Sequence, residues 1–502
     1  MQKTIDKLII GAGFAGIGAA INLKKQGMKN FLVLERKSEV GGTWRDNTYP
    51  GCACDIPSFL YSYSFELNPE WSESFSPHNE ILDYLKFCVK KYGIDEHILY
   101  NTAVEEARFD ASKGHWKVIT QTKKQFKVHT LISCSGPLNE PSYPEIKNRA
   151  AFKGTQFHSL HWQHDLDLKN KRIAVIGTGA SAIQFIPEIA KTAKEVNVFQ
   201  RTAPWVSPKN NQIFPESSKN RFRKFPSYMR FWRELIYWIL ELRGTSQYKD
   251  NKMRQWRTKE AMHHLNTQIS DPVLRKKLTP DYTIGCKRIL ISDEYYPTLT
   301  KENVHLETDP IATFTEKGVL TKSGKEIDVD IIIYGTGFKT TTFSHIYRVI
   351  GLNNRNLFEE WNQHGGQAFK GINVSGFPNF QIIVGPNTGL GHNSIIHMME
   401  SQYKYILDYL KKLEQHPPNT FFDVKIEKQK AFNKKLQEEL ESMVWTTGGC
   451  QSYYLKGRTG KNTSIWPGST TKYRKMTKKM KLGDYNIYRA KKNSSMLNKF
   501  IT

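Results

Sequence analysis

Apolar residues gather in short runs with abrupt ends, and two stretches of the chain share one plan. Residues 6–36, DKLIIGAGFAGIGAAINLKKQGMKNFLVLER, open with an apolar run of strand length that stops at Gly11. Gly13 and Gly16 follow at GxGxxG spacing. The next dozen residues are rich in small side chains, which predicts a helix lying close against a sheet, and Gly27 suits its end. FLVLE then predicts a second strand finishing at Glu35. Residues 171–201, KRIAVIGTGASAIQFIPEIAKTAKEVNVFQR, repeat the order. A strand leads into Gly177, Thr178, Gly179, Ala180, Ser181 and Ala182, a helix follows, and the strand VNVFQ ends before Arg201. Each unit closes with another apolar run and a small-residue turn, HTLISCSGP (129–137) and DVDIIIYGTGF (328–338). The second of these is unbroken, as a strand buried on both faces requires.

A lone GxGxxG carries little weight. Here each copy follows a predicted strand, opens a helix and precedes a second strand. Glycines there permit the tight turn and a close backbone approach to a pyrophosphate, while the helix N-terminus offers free N–H groups. The expected fold is α/β, with two Rossmann-type dinucleotide-binding domains, the second inserted in the first. Residues 1–140 and 370–502 form the first domain on this reading, with GFPNFQIIVGPNTGLGHNS (376–394) as its returning strands and loop. Residues 141–208 and 284–369 form the second. Residues 209–283, rich in Trp, Tyr and Arg, form a helical insertion.

The two units differ where the nucleotide is chosen. Glu35 lies 24 residues after Gly11, and Arg201 lies 24 residues after Gly177. A carboxylate there accepts hydrogen bonds from ribose hydroxyls and repels a 2′-phosphate, whereas a guanidinium pairs with that phosphate. The first unit should therefore hold the adenosine half of FAD or NAD, and the second NADP. Arg36 is read as an exposed charge.

Composition narrows the class. The 502 residues include 39% hydrophobic and 12% aromatic, enough for several buried cores. Six cysteines show no CxxC pair and no framework spacing, so reduced thiols, no zinc site and a cytoplasmic protein are expected. MQKTIDKLIIGAGFAG runs straight into a strand and lacks a signal-peptide core. The net charge is +25, with extra Lys and Arg in TKYRKMTKKMKLGDYNIYRAKK (471–492). No motif that reads nucleic acid accompanies it, so no nucleic-acid partner is expected and the charge is read as a solvated surface. The longest apolar stretch, MRFWRELIYWILEL (229–242), is broken by Arg230, Arg233 and Glu234. It is read as a buried helix; the alternative is an interfacial helix, in a protein peripheral to a membrane, beside an apolar substrate entrance.

With both units placed, the chain resembles the class B flavoprotein monooxygenases over nearly its full length, and most closely the Baeyer–Villiger type. GGTWRDNTYPGCACD (41–55) resembles that family's flavin-site motif. The resemblance implies that Gly42, Thr43, Trp44, Asp46, Tyr61 and Val104 join Gly11, Gly13, Gly16 and Glu35 around FAD, with Asp55 near the nicotinamide. FKGTQFHSLHWQ (152–163) matches the family pattern FxGxxxHxxxW through Phe152, Gly154, His158 and Trp162, although Gln163 stands where the family has Pro or Asp. That segment is implied to link the nucleotide domains; a buried, satisfied histidine is the simpler reading of His158. IGCKRILISDEYYPTL (284–299) resembles the stretch carrying the family's catalytic arginine, here Arg288, with Lys287 beside NADP. Gly177 to Ala182, Arg201 and Thr202 would complete the NADP site. WTTGGCQSYYLKGRTGKNTSIWPG (445–468) resembles the family's C-terminal segment, with domain packing or substrate lining as its role.

The implied function is FAD- and NADPH-dependent insertion of one atom of O2 into a ketone, giving an ester or lactone through a C4a-peroxyflavin. Arg288 would favour the anionic peroxide and the oxyanion of the adduct, and Asp55 would hold Arg288 by a charge-assisted bond. The simpler role for Asp55 is a cap or turn residue. The small-molecule partners are O2 and an apolar ketone. Three alternatives stay open: an N- or S-oxygenating flavin monooxygenase, a futile NADPH oxidase that releases hydrogen peroxide, and a non-catalytic basic flavoprotein binding module.

Overall fold

The computed structural model describes residues 4–248, 251–340, 347–450, 454–456, 461–490 and 498–500. Two sheets organise it. In the first, Thr4–Ile10 lies parallel between Phe31–Leu34 and Gln125–Ser133, with Leu8 level with Leu32 and Leu131. An antiparallel run, Val104–Asp110, His115–Thr120 and Gln125–Ser133, extends it on one side. Ile98–Leu99 closes the other side, and Phe380–Ile382 pairs alongside Gln125–Ser133.

The second sheet is wholly parallel, in the order Val304–Glu307, Glu195–Phe199, Arg172–Ile176, Ile331–Tyr334, Thr155–His158. Alternation explains why its central runs are apolar throughout. Ile173, Val175, Ile331 and Ile333 enter the core on one face, while Ala174, Ile176, Ile332 and Tyr334 enter the core on the other. Strand side chains point to opposite faces in turn, so a sheet covered on both sides leaves no polar position.

Between the sheets' segments lie four helices, Glu216–Lys224, Pro226–Gly244, Lys252–Gln268 and Pro272–Leu278. Asn251 and Asp271 start the last two by accepting backbone N–H bonds within the first turn. No helix among the described residues is long and apolar enough to cross a membrane.

Three expectations need correction. The chain rejoins the first sheet before residue 370, because Arg348–Ile350 pairs with Glu106–Arg108 and Val349 fills the core occupied by Phe109 and Trp116. A three-residue strand has too little periodicity to stand out in sequence. FKGTQFHSLHWQ is more than a link, since its Thr155–His158 is the edge strand of the second sheet. The thiols are not all free: Cys286 is disulfide-bonded to Cys450, across 164 residues, while Cys52, Cys54, Cys88 and Cys134 are free and buried.

The basic stretch 471–492 is folded through residue 490. Tyr473 is fully buried and its hydroxyl donates to the Lys370 carbonyl at 2.7 Å, and Tyr485–Arg489 pairs with Thr420–Val424. Of the 445–468 segment, residues 451–453 and 457–460 lie outside the described residues.

Candidate active site

The two glycine loops are built alike. Gly11 N–H donates to the Leu34 carbonyl and Gly177 N–H to the Phe199 carbonyl, so each loop leaves its sheet at the same point. Gly11 has φ +101° and Gly177 φ +104°. A Cβ at Gly11 would lie 2.6 Å from the Cys134 carbonyl oxygen, and one at Gly177 would lie 2.6 Å from that of Gly335. Those carbonyls end the two closing strands. Both the backbone conformation and the space therefore demand glycine. Gly13 sits against Gly42 of the GGTW turn, where a Cβ on Gly42 would be 3.2 Å from the Gly13 Cα.

These loops open onto one cavity of about 1640 Å³ that is lined from both sheets. One small-ligand site typically takes roughly 300–1,000 Å³. The larger volume suits extended ligands laid end to end. Of the predicted positions, Gly11, Gly13, Glu35, Gly42, Thr43, Trp44, Asp46, Asp55, Tyr61 and Val104 line it from the first unit. Gly177 to Ser181, Arg201, Thr202, Lys287 and Arg288 line it from the second. Gly16 and Ala182 do not reach it. A Cβ on Gly16 would be 1.8 Å from the Gly11 carbonyl oxygen, and Ala182 packs under Gly335, so both serve the close approach of helix to strand.

The ends of the second strands carry opposite chemistry. Glu35 is buried and accepts from Ala12 N–H at 2.8 Å, Lys37 N–H at 3.0 Å and Arg45 Nη1 at 3.1 Å. Arg45 also makes a two-point bond with Asp46, at 2.8 and 3.0 Å. Arg201 is exposed at the cavity rim, and Lys287 stands close enough for the two charges to repel. Burial first, and then Arg201, push the Lys287 ammonium below its ordinary value. Neither cation has an ion-pair partner among the described residues. Two neighbouring cations, with Asp281 only partly offsetting Lys287, form at the end of a dinucleotide fold a cradle that fits a phosphate.

Arg288 and Asp55 meet in the same cavity, although 233 residues separate them. Arg288 Nε donates to Asp55 Oδ2 at 2.8 Å and Nη2 bonds the same carboxylate. Both side chains keep part of their surface open. The two-point bond to the carboxylate fixes the plane of the guanidinium.

The fingerprint residues stand behind the cavity. Phe152 is buried, and a Cβ on Gly154 would strike its ring at 2.4 Å. Trp162 packs against Phe157 and Phe185. His158 is fully buried between Tyr143 and Phe338, with Nδ1 accepting from Leu160 N–H at 3.1 Å. Burial pushes its pKa down to about 4, with Arg149 and His161 acting in the same direction. It is therefore neutral at pH 7. Tyr143 and Phe338 do line the cavity, so His158 supports that wall from behind.

Sequence reasoning missed the tie between the two units. Gln184, on the helix after the second glycine loop, accepts from the Tyr49 hydroxyl at 3.0 Å and donates to the Ala53 carbonyl at 3.0 Å. It thereby anchors the turn that carries Asp55. It also missed the insertion's own contribution to the lining, Lys209, Asn210, Leu240, Arg243, Arg257, Glu260 and Tyr282. A lone Gln gives no signal, and helical charges read as solvated in sequence.

Paired dinucleotide cradles opening on one cavity define a two-nucleotide oxidoreductase fold. The family model described as flavin-binding monooxygenase-like matches residues 4–444. The chain is 42% identical over 479 residues to a Baeyer–Villiger monooxygenase of Pseudomonas aeruginosa, covering 95% of this chain and 90% of that one. It is 40% identical over 489 residues to a Baeyer–Villiger monooxygenase of Streptomyces coelicolor, covering 97% and 94%. A solved oxidized steroid monooxygenase bound to NADP superposes with TM-score 0.83 at 27% identity, covering 95% of this chain and 97% of that one. The protein belongs to the flavin-binding monooxygenase-like family, on its Baeyer–Villiger side.

Proposed function

We propose that the protein oxidises a ketone to an ester or lactone, using FAD as resident cofactor and NADPH as reductant. The net change is ketone, O2, NADPH and a proton to ester, NADP+ and water. Bound FAD, once reduced, supplies activated dioxygen. The protein's own residues do the rest.

Residues 1–140 with the returning C-terminal part hold FAD. Gly11 and Gly13 admit the pyrophosphate to the backbone, and Glu35 faces the adenosine ribose. The unit containing residues 141–208 and 284–340 holds NADPH. Gly177 and Gly179 admit its pyrophosphate, while Arg201, Thr202 and Lys287 grip the 2′-phosphate. Filling that cradle relieves the repulsion between Arg201 and Lys287.

Arg288 is the catalytic residue of this reading. Carbonyl addition turns a neutral C=O oxygen into an oxyanion. A fixed guanidinium stabilises that developing charge more than it stabilises the ketone, which is what lowers a barrier. Asp55 orients the guanidinium and limits its swing. Tyr143 and Phe338, backed by His158, help keep the wall apolar and water out. The substrate is a ketone; the side chains that the insertion brings to the cavity, Leu240 and Tyr282 with Lys209, Asn210, Arg243, Arg257 and Glu260, are mostly polar.

The Arg288–Asp55 pair inside the shared cavity is the observation that carries this reading. The test is product analysis of Arg288→Ala with a ketone panel under NADPH. The variant should consume NADPH and release hydrogen peroxide while forming no detectable ester. An ester yield equal to that of the unaltered enzyme removes Arg288 from the chemistry.

A further inference from the structure

The helix Pro226–Gly244 leaves a row of large apolar side chains exposed. A surface helix normally turns its apolar stripe to the core and its charges to water. Here the core side carries Met229 and Ile236 together with Arg233, Tyr237 and Glu241, and the outer side carries Phe231, Trp232, Leu235, Trp238, Ile239 and Leu242 together with Arg230 and Glu234. Phe231 is 62%, Trp238 58% and Leu242 60% exposed, while Arg233 is 4% exposed. The outward positions recur at the spacing of a single helical face.

The polar inner side is tied down by several hydrogen bonds, although Arg233 Nη2 is buried without a partner among the described residues, and these bonds oppose a roll that would hide the apolar side. Arg233 Nη1 donates to the Phe59 carbonyl at 2.7 Å and to the Leu60 carbonyl at 3.2 Å. Tyr237 hydroxyl bonds Thr471 Oγ1 at 2.8 Å. Glu241 accepts from Asn393 Nδ2 at 2.9 Å and Thr470 Oγ1 at 2.7 Å. Leu240 and Arg243 of the same helix line the large cavity. Beyond its C-terminal end Trp256 is also exposed, with the Arg243 guanidinium 5.5 Å from its ring centroid.

Charge selects the occupant of this face. Residues 217–232 contain the cations Lys219, Arg221, Arg223, Lys224 and Arg230 and no acid, and Glu234 follows on the 226–244 helix. Among the described residues Lys219, Arg221, Lys224 and Arg230 have no carboxylate at ion-pair distance. A second copy of a chain of net charge +25 would bring like charges together. An anionic surface accepts both the cations and the aromatic row, and Trp beside Lys and Arg suits the headgroup boundary of a bilayer.

We propose that the outer face of the 226–244 helix docks in the headgroup layer of an anionic phospholipid membrane, which sets the cavity-lining side of the same helix beside the bilayer. This goes beyond the oxidation proposed above and does not depend on it. The test uses the full-length, flavin-loaded protein in flotation with vesicles of phosphatidylcholine alone or with about 30% phosphatidylserine. Binding should be at least about tenfold stronger to the anionic vesicles and should fall in about 0.5 M salt. The Trp238→Glu/Leu242→Glu variant should lose at least about tenfold in vesicle binding while keeping its flavin and its rate of NADPH oxidation. Brominated lipids should quench tryptophan emission of the unaltered protein, and that reading holds even if the double variant folds poorly. Absence of vesicle binding overturns the proposal. So does equal binding by the variant, which would place the contact elsewhere on the basic surface. A concentration-dependent dimer abolished by the variant would instead assign the face to a second copy.

Discussion

The two glycine-loop units of this chain have the same backbone and opposite ends. Gly11 and Gly177 adopt nearly the same φ and face carbonyls at the same distance. The position 24 residues on is a buried carboxylate in one unit and an exposed guanidinium in the other. Glu35 is enclosed by three donors, whereas Arg201 shares its rim with a second cation, Lys287. The fold thus supplies the same glycine loop twice, and on the reading proposed above one side chain per copy selects the nucleotide. The enclosed end suits a ligand that stays; the open end suits one that arrives with its own charge.

The strongest test applies one lesion to both copies. Gly11→Ala and Gly177→Ala each place a Cβ 2.6 Å from a backbone carbonyl at positive φ. Such strain costs about 1–3 kcal/mol, before any loss of ligand contact. Gly11→Ala should purify largely without flavin, its FAD affinity down by about a hundredfold. Gly177→Ala should keep its flavin yet be reduced by NADPH about a hundredfold less efficiently. Bound-flavin absorbance and anaerobic reduction read the two outcomes. The same phenotype from both would mean that the two cradles do not hold different nucleotides.

Next in size is Arg201→Ala. Removing a hydrogen-bonded charge from a 2′-phosphate costs about 1.5–3 kcal/mol, so the preference for NADPH over NADH should fall by about ten- to a hundredfold. Most of that should come through weaker NADPH rather than stronger NADH. Lys287→Gln should do the same more weakly, by about tenfold, since the neighbouring Arg201 remains. Steady-state kcat/KM with both cofactors checks each. An unchanged ratio in Arg201→Ala would break the assignment of the second unit.

Local signals made much of this legible. The glycine spacing, the strand that precedes each loop and the charge at each second strand's end are written within about 30 residues, because a βαβ unit is a local structure. Arg288 was legible only through resemblance, and its meeting with Asp55 spans 233 residues that no local pattern links. The Cys286–Cys450 bond was invisible for the same reason. The 226–244 helix failed differently. Its periodicity is plain in sequence, but periodicity gives two faces without saying which is inside. Apolar-inward is the default, and here Arg233, Tyr237 and Glu241 depart from it by finding backbone and side-chain partners that no sequence window contains.

A last test separates the units by pH. His158, at the edge of the second sheet, is held neutral by burial, with its pKa lowered from 6.5 to about 4. Below pH 6.5 the unfolded chain takes up a proton that folded His158 refuses, so the folded state loses ground as pH falls. The loss approaches about 1.4 kcal/mol per pH unit from this one group and stops near pH 4, where the folded imidazole also protonates. Above pH 6.5 both forms are neutral and His158 adds no pH dependence. His158→Phe should therefore show a shallower decline between pH 6.5 and 4 than the unaltered protein, with flavin retained at pH 7. Denaturation midpoints followed by second-unit fluorescence and by flavin release would tell whether the decline belongs to the second sheet alone. Equal slopes with and without His158 would show that acid acts elsewhere; His397, buried with its pKa pushed down to about 3, is the group to test next.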